Sequence, residues 1–286
     1  MAEQLADVVA QIQNVRQLDA VVSAMRGIAA SRAQRGRSLL AGIDAYSDVI
    51  SRAIGQALIL LPADTRYTSP PRAGRVGLIL FCAEQGFAGA FSERILDTAA
   101  RDDLTTSVIF LIGTRGMVIA NERGLKPAWS APMATHVDAV PALANRIADA
   151  LYAHVATAAL SKVYVVVARS SFDIGISIDR HSLLPVDLGR FAQPPKNQPP
   201  LTTLSSEILL ERLTSEYVYA QLCKAAMHAF AAENEARMLA MASARTNIDT
   251  KLKSLSQREQ RLRQEEITTE IVELAAGAEA SRTMHR

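Results

Sequence analysis

Residues 204–276 read LSSEILLERLTSEYVYAQLCKAAMHAFAAENEARMLAMASARTNIDTKLKSLSQREQRLRQEEITTEIVELAA. The run from Leu201 to Ala276 contains neither glycine nor proline, and large apolar residues recur along it at helical spacing. Globular helices average about 11 to 12 residues, so a periodic run of this length favours a coiled coil. Because the spacing is not a clean heptad, we expect an irregular supercoil.

The N-terminal flank has the same character. No proline precedes Pro62, and an apolar stripe recurs at steps of three and four: it comprises Leu5, Val8, Ile12, Val15, Leu18, Val22, Met25 and Ala29. At about 1.5 Å per residue, a helix of roughly 60 residues would extend about 90 Å, too far for one globular core. We therefore predict that the N- and C-terminal helices pair as an antiparallel coiled coil.

The middle of the chain has a different pattern. Short runs that are apolar on both faces, as in covered parallel strands, occupy 75–82, 107–113 and 162–168. Helical patterns at 91–100, 115–121 and 139–160 alternate with them, and an edge strand is predicted around Ile174 to Ile178. This alternation predicts an inserted Rossmann-like α/β domain. Proline clusters at 62–71 and 194–200 divide the chain into predicted domains 1–62, 72–195 and 200–286.

Composition limits the function classes. The net charge of the 286 residues is +2, which does not indicate a globally basic nucleic-acid binder. The two cysteines are far apart, which suits a reduced, intracellular protein. We recognise neither a signal or transit sequence nor an uninterrupted apolar run of about 18 residues, so any membrane association is expected to be indirect.

Candidate active-site groups are few. Gly86 and Gly89 follow a predicted strand and precede a helix, where a phosphate could bind, but GFAGAF matches neither common nucleotide motif. A structural turn is the favoured interpretation. Cys82 lies in an apolar pattern, and the five histidines contain no i, i+4 pair of the kind that binds metals on a helix. We predict no catalytic residue, cofactor or metal.

Basic charge is concentrated on both terminal helices. Five arginines and one acid lie between Arg16 and Arg37, and five basic residues and one acid lie between Lys251 and Arg263. Solvated helix faces are the simple explanation. From 251 to 264, however, the large apolar positions are reduced to Leu252, Leu255 and Leu262. A helix this polar buries little surface of its own, so it is either frayed or enclosed by another molecule.

Both termini resemble one family. The segment IQNVRQLDAVVSAMRGIAASRAQRGR (12–37) is similar to the first helix of the gamma subunits of F-type ATP synthases, with matches that include Ile12, Val22, Met25 and Ser31. ENEARMLAMASARTN and RQEEITTEIVELAAGAEA resemble that family's last helix, with matches from Arg237 to Ala278. The middle resembles it more loosely, at residues 76–91 and 109–116.

The resemblance implies a central stalk without bond chemistry of its own. The implied partners are three alpha and three beta subunits, the epsilon subunit and the membrane c-ring, at a bacterial plasma membrane on its cytoplasmic side. Rotation of the paired helices would couple ion flow to ATP synthesis or hydrolysis. The contacts with the alpha/beta ring that the resemblance implies are Met25, Arg26, Arg237, Gln264, Thr268 and Glu270.

Three segments depart from the family pattern and suggest a divergent form: 17–22, 84–90 and 259–261. Two other functions remain open from the residues alone. One is a coiled-coil adaptor that binds a partner without rotation, and the other is a nucleotide-binding α/β enzyme that uses the turn at Gly86.

Overall fold

The chain forms five α-helices and five β-strands in the part that the computed structural model describes, residues 2–61, 74–102, 104, 106–158, 160–171, 175–191 and 201–284. The elements are α1 (Ala2–Ile59), β1 (Arg75–Phe81), α2 (Phe91–Ala99), β2 (Val108–Ile112), α3 (Thr114–Glu122), β3 (Trp129–Ala131), α4 (Val140–Ala158), β4 (Leu160–Ser171), β5 (Gly175–Leu184) and α5 (Ser206–Met284). Short 3-10 turns lie at Val137–Ala139 and Leu188–Phe191. Both proline clusters and Ile174 lie outside the described residues.

The chain divides into two compact units. One contains Met1–Ile28 with Met238–Arg286, and the other contains Ala29–Arg237. Each long helix contributes to both units because α1 and α5 are continuous across these boundaries. The predicted domains 1–62, 72–195 and 200–286 rest on the positions of the proline clusters, and these limits stay a prediction.

The larger unit is built on one mixed sheet with strand order β3-β2-β1-β4-β5. Strands β1 to β4 run parallel to one another, whereas β5 pairs with β4 in the antiparallel direction. Alternate side chains of β1 enter opposite cores: Leu78 and Leu80 face α2 and α3, whereas Ile79 and Phe81 face α4 and α5. Both faces of the sheet are thus covered at its centre, which explains why β1, β2 and the middle of β4 are apolar on both faces.

Helix α5 forms part of this covering layer. The core around Ile147 and Leu151 of α4 includes Val218, Leu222, Met227 and Phe230 of α5. In the same unit α1 packs against α5 in the opposite direction, since Gly36 lies against Phe230 and Asp44 pairs with Lys224 at 2.6 Å. The sequence numbers fall on one helix as they rise on the other, so the pairing is antiparallel.

The smaller unit is a pair of helical segments. Val8 and Ile12 of α1 are buried against Leu255 of α5, with Val15, Leu252 and Leu262 partly buried beside them. Asp19 and Arg245 form a salt bridge at 3.7 Å. This pairing is also antiparallel, which confirms the predicted coiled coil with an inserted Rossmann-like α/β domain.

The structure adds two features to the predicted domain. Strand β3 was not predicted, because three residues with the sequence Trp-Ser-Ala are too short for a periodic signal. The strand predicted around 174–178 extends from Gly175 to Leu184 and forms a hairpin partner of β4. Cys82 follows β1 and is fully buried, as its apolar surroundings predict.

Candidate functional site

Two charged side chains of α5 are buried at the carboxyl edge of the sheet. Among the described residues, Glu233 and Arg237 are the buried charged side chains, with 4% and 6% of their surface exposed. They are one helical turn apart, and Arg237 Nη2 donates to Glu233 Oε1 at 2.6 Å. Burying an ion pair is costly unless further hydrogen bonds satisfy both groups, so their other contacts determine the role of this site.

Both side chains bind the turn that follows β1. The Glu233 carboxylate accepts the backbone N–H groups of Glu84 and Gln85, each at 3.2 Å. Arg237 donates in the other direction, from Nε to the carbonyl of Gly86 at 3.1 Å and from Nη2 to the carbonyl of Gln85 at 3.2 Å. We call Glu233, Arg237 and the turn Glu84–Gly86 the α5 clamp.

The clamp continues into the rest of the sheet edge through the side chain of Glu84. One carboxylate oxygen accepts the backbone N–H groups of Thr114 at 3.0 Å and Met133 at 2.7 Å. The other accepts the Thr114 hydroxyl at 2.7 Å. An acid at the first turn of α3 is favoured by the helix dipole, so Glu84 joins the end of β1, the start of α3 and the segment after β3.

This arrangement bears on the nucleotide-site alternative. Open α/β sheets bind nucleotides beyond the carboxyl ends of their strands. Here that edge holds the clamp, and the carbonyl of Gly86 accepts from Arg237. The contacts favour the structural-turn interpretation of Gly86. Phe87, which sequence analysis did not single out, adopts φ 63° and is 67% exposed, so a large apolar side chain projects from a constrained turn.

A second carboxylate of α5 ties this helix to α1. Arg37 Nη1 donates to Glu235 Oε2 at 2.6 Å, and the Ser170 hydroxyl at the end of β4 donates to the same oxygen. The Arg37 side chain is 46% exposed. Solvent screens this pair more than the pair in the clamp, so it is expected to contribute less.

The structure separates the predicted partner residues into two groups. Arg237 is buried within the clamp and does not present its guanidinium to solvent, so a direct partner contact there stays a prediction. The remaining five lie on surfaces: Met25 is half-buried, whereas Arg26, Gln264, Thr268 and Glu270 are exposed. The Thr268 hydroxyl donates to the Gln264 carbonyl at 2.7 Å within α5.

An exposed apolar stripe lies between the predicted contacts on α5. Ile267, Ile271 and Leu274 are 56%, 60% and 74% exposed, although they belong to the periodic apolar run that predicts the coiled coil. The pairing with α1 in this unit reaches Leu262, and these side chains lie beyond it. At about 100° per residue, Gln264 and Thr268 flank the stripe on one side and Glu270 flanks it on the other.

The basic residues of both terminal helices are also at the surface. Arg16, Arg26, Arg32 and Arg35 of α1 are exposed, as are Lys251, Lys253, Arg258 and Arg261 of α5. The divergent triplet 259–261 contributes one acid, Glu259, which pairs with Arg263 at 2.6 Å. The two helices thus offer predominantly positive surfaces, which suit an acidic partner.

Burial disfavours the charged forms of both cysteines and of two histidines, His181 and His228. Burial raises the pKa of the Cys82 thiol to about 12, which makes it a poor nucleophile. Burial lowers the pKa of His228 to about 4, and the charges of Arg169 and Lys224 act in the same direction. Burial also lowers the pKa of His181, although Asp179 opposes that shift. These groups resemble core constituents more than catalytic ones.

Among the described residues, no three His, Cys, Asp or Glu side chains come together in a way that could hold a metal ion. None of the helices in that part of the chain combines the length and the apolar character needed to cross a membrane.

Comparison with known proteins gives a consistent result. The sequence profile of the ATP synthase family matches residues 4–280. The ATP synthase gamma chain of Frankia casuarinae is 30% identical, and that of a Parafrankia species is 27% identical, each over 98% of both chains.

Solved structures share the fold. A chain from the Euglena gracilis mitochondrial ATP synthase, in an assembly of OSCP, F1 and c-ring, superposes with a TM-score of 0.68. It is 12% identical, and the match covers 100% of this chain and 97% of that one. A chain from the central stalk and c-ring of the Tetrahymena thermophila enzyme gives a TM-score of 0.53 at 15% identity, covering 78% and 99% of the two chains.

Proposed function

Since this chain belongs to the family of ATP synthase gamma chains, we propose that it is the central stalk of a rotary F-type ATP synthase. It couples ion translocation to ATP synthesis or hydrolysis and is a non-catalytic subunit of that enzyme. Its partners are three alpha and three beta subunits, the epsilon subunit and the membrane c-ring. The adaptor and nucleotide-enzyme alternatives have no comparable support.

The observation that carries the proposal is the character of α5 beyond Leu262. This part stays helical to Met284, yet Ile267, Ile271 and Leu274 are exposed in an apolar stripe. A helix with such a stripe is stabilised when another molecule encloses it. A ring of alpha and beta subunits is an enclosure of the required kind, and the polar residues beside the stripe limit its adhesion to that ring.

Individual contacts follow from the same surfaces. Gln264, Thr268 and Glu270 are proposed to hydrogen-bond to loops of the alpha/beta ring, because all three side chains are exposed. Met25 and Arg26 of α1 are proposed to contact the rim of the ring. The exposed basic residues between Lys251 and Arg261 are proposed to face acidic loops of the beta subunits.

The central-stalk role is tested by purification of the native chain. We expect it to sediment with a nucleotide-hydrolysing alpha/beta hexamer and to rotate when that assembly hydrolyses ATP. An adaptor would instead be recovered without such a hexamer. Recovery of the chain only in hexamer-free fractions would refute the proposal.

The contact residues are tested by substitution within the assembly. Gln264→Ala and Thr268→Ala are each expected to lower torque-generating hydrolysis about two- to tenfold, the range of one net hydrogen bond. Thr250→Ala is a matched control, because the Thr250 hydroxyl makes the same i−4 bond within α5, to the Thr246 carbonyl at 3.0 Å. Equal rates for all three variants would remove Gln264 and Thr268 from the proposed contact surface.

Localisation follows from the family's membrane complex. We propose that the chain is peripheral at the cytoplasmic side of a bacterial plasma membrane, held there through the other subunits. We expect it in the membrane fraction, and we expect extraction from the membrane to release it together with the alpha and beta subunits. Release of the chain alone would contradict this attachment.

A further inference from the structure

We infer that Glu233 and Arg237 are positioning residues that carry torque between the α/β sheet and helix α5. This role rests on the proposed function as a rotating stalk, because only a rotor needs to pass torque along its length. The α5 clamp is the structural basis. Neither residue contacts a reacting group, so both act through the elements that they join.

The bonding pattern of the clamp resists movement in more than one direction. Glu233 accepts two N–H groups of the turn Glu84–Gly86, and Arg237 donates to two carbonyls of the same turn. Donors and acceptors of one short backbone segment are thus held by two side chains on adjacent turns of α5. Because the Arg237 guanidinium is a planar fork, it also restricts rotation of α5 relative to that segment.

Burial makes these bonds suitable for bearing load. With 4% and 6% of their surfaces exposed, the two side chains have little access to water that could replace a strained bond. Asn234 lies beside them, accepts from Arg237 Nη1 at 3.3 Å and donates to the Phe230 carbonyl at 2.8 Å. The ion pair is therefore supported from within α5 as well as from the sheet.

The load enters the sheet at several points. From the clamp, the Glu84 carboxylate reaches the N–H groups of Thr114 and Met133. Next to the clamp, the N–H of Cys82 donates to the carbonyl of Ile112 at 2.8 Å, which couples the ends of β1 and β2. The turn is thus braced by the ends of β1 and β2 and by the segment after β3.

A neighbouring tie offers an alternative path, but a weaker one. The Arg37 to Glu235 pair joins α1 to α5 and, through Ser170, to the end of β4. Its arginine is 46% exposed, and exposed pairs are screened by solvent and exchange with water. Because the Glu233–Arg237 pair is buried and the Arg37–Glu235 pair is partly exposed, we assign the larger share of the mechanical coupling between α5 and the sheet to the clamp.

The experiment measures angular fluctuation in the assembled motor. Lys126 is exposed in the α/β unit, and both native cysteines are buried, so Lys126→Cys offers a selective position for a rotation probe. In the stalled complex with alpha and beta subunits, we expect Arg237→Lys to widen the angular distribution at least twofold.

Two further variants make the result specific. Glu233→Gln should widen the distribution similarly, and the double variant should be no wider than the wider single variant if the residues act as one unit. Asp97→Asn is the control: it removes a 2.6 Å pair with Arg123, which is exposed and does not involve α5. An unchanged width in Arg237→Lys, or an equal increase in Asp97→Asn, overturns the assignment.

A second measurement uses the full chain alone and separates this inference from the proposed function. In Arg237→Lys and Glu233→Gln, amide hydrogen exchange at Glu84 and Gln85 should be at least tenfold faster, with no change in Asp97→Asn. Unchanged exchange overturns the clamp itself. If the unsubstituted chain fails to assemble with alpha and beta subunits, the stalk role is refuted, and the torque role with it. The exchange result still decides whether Glu233 and Arg237 hold the turn Glu84–Gly86.

Discussion

Helix α5 has two regions with the same backbone conformation and opposite environments. Between 218 and 237 most side chains are buried. They contribute to the core that contains Phe230, and two of them, Glu233 and Arg237, form part of the α5 clamp. Between 256 and 276 every side chain is exposed or half-buried, and Ile271 is 60% exposed. Helical propensity and apolar content alone do not distinguish these regions. The difference lies in whether this chain itself supplies a covering layer.

The comparison explains how one helix can serve two purposes. In the first region α5 is a structural element of the sheet unit, and its charges are satisfied by backbone groups of that unit. In the second region its apolar and polar groups remain available to another molecule. The first region should therefore control the stability of the isolated chain, and the second should have little influence on it.

The largest expected effect is at the centre of the buried region. Phe230→Ala should lower the free energy of unfolding by about 3–5 kcal/mol, since it leaves a cavity in a core that the isolated chain cannot refill. Phe230 is 3% exposed and lies in the core shared by β1, α4 and α5. Urea unfolding of the full chain measures the loss. A change below about 1 kcal/mol would show that this core packs loosely.

A smaller effect is expected where α1 passes close to the same region. A Cβ atom on Gly36 would lie 3.1 Å from Phe230 Cδ1 and 3.2 Å from Ala231 Cβ, so Gly36→Leu should cost about 1–3 kcal/mol through overpacking. Gly42, also on α1, has open space around its added Cβ. Gly42→Ala should instead raise stability by about 0.5–1 kcal/mol. If Gly36→Leu and Gly42→Ala changed the free energy of unfolding in the same direction, α1 would not pass as close to α5 at Gly36 as these distances indicate.

The next effect is a dependence on pH in the buried region. Because burial lowers the pKa of folded His228 to about 4, the unfolded chain, with its ordinary histidine pKa, binds more protons between about pH 6.5 and 4. Stability is thus present above about pH 6.5 and is lost as the pH falls toward 4. Solvent screening of the partly exposed ring reduces the expected loss to about 1–2 kcal/mol.

Thermal unfolding from pH 7 to 4.5 measures this dependence. His228→Asn should flatten the curve in that range, and a residual slope of the same sign is expected from His181, whose pKa burial also lowers. The charges around the two rings are Arg169, Asp179, Lys224 and Asp44, which the substitution leaves in place. If stability in His228→Asn depended on pH as steeply as in the unsubstituted chain, His228 would not be the cause of the pH dependence.

The smallest expected effect is in the exposed region. Ile271→Ala should change the free energy of unfolding of the isolated chain by no more than about 0.5 kcal/mol, because most of the side chain is in water in the folded state. The same urea titration that reports Phe230→Ala provides the comparison. A loss of more than about 1 kcal/mol would mean that this part of α5 is covered within the chain, and the contrast between the regions would fail.

Sequence patterns predicted much of the fold but less of the site. Strands β1, β2 and β4 were located because each is buried on both faces and therefore reads as an uninterrupted apolar run. The clamp was not predicted, because Glu233 and Glu84 are about 150 positions apart and appear as ordinary surface acids in the sequence. One sequence feature does indicate the clamp. Glu233, Asn234 and Arg237 form a short polar cluster within an alanine-rich stretch of helix, where polar side chains are expected to be buried and to need hydrogen-bond partners.

The sequence by itself determined the element types, the alternation of strands and helices in the middle, and the antiparallel partnership of the two flanks. These properties depend on local periodicity and on which faces must be buried. The family also followed from local motifs at both ends. Tertiary structure alone decided that Arg237 is enclosed whereas Gln264 is exposed, and that Ile271 leaves the coiled-coil seam. Periodicity states which face of a helix is apolar, but burial depends on whether a covering element lies against that face.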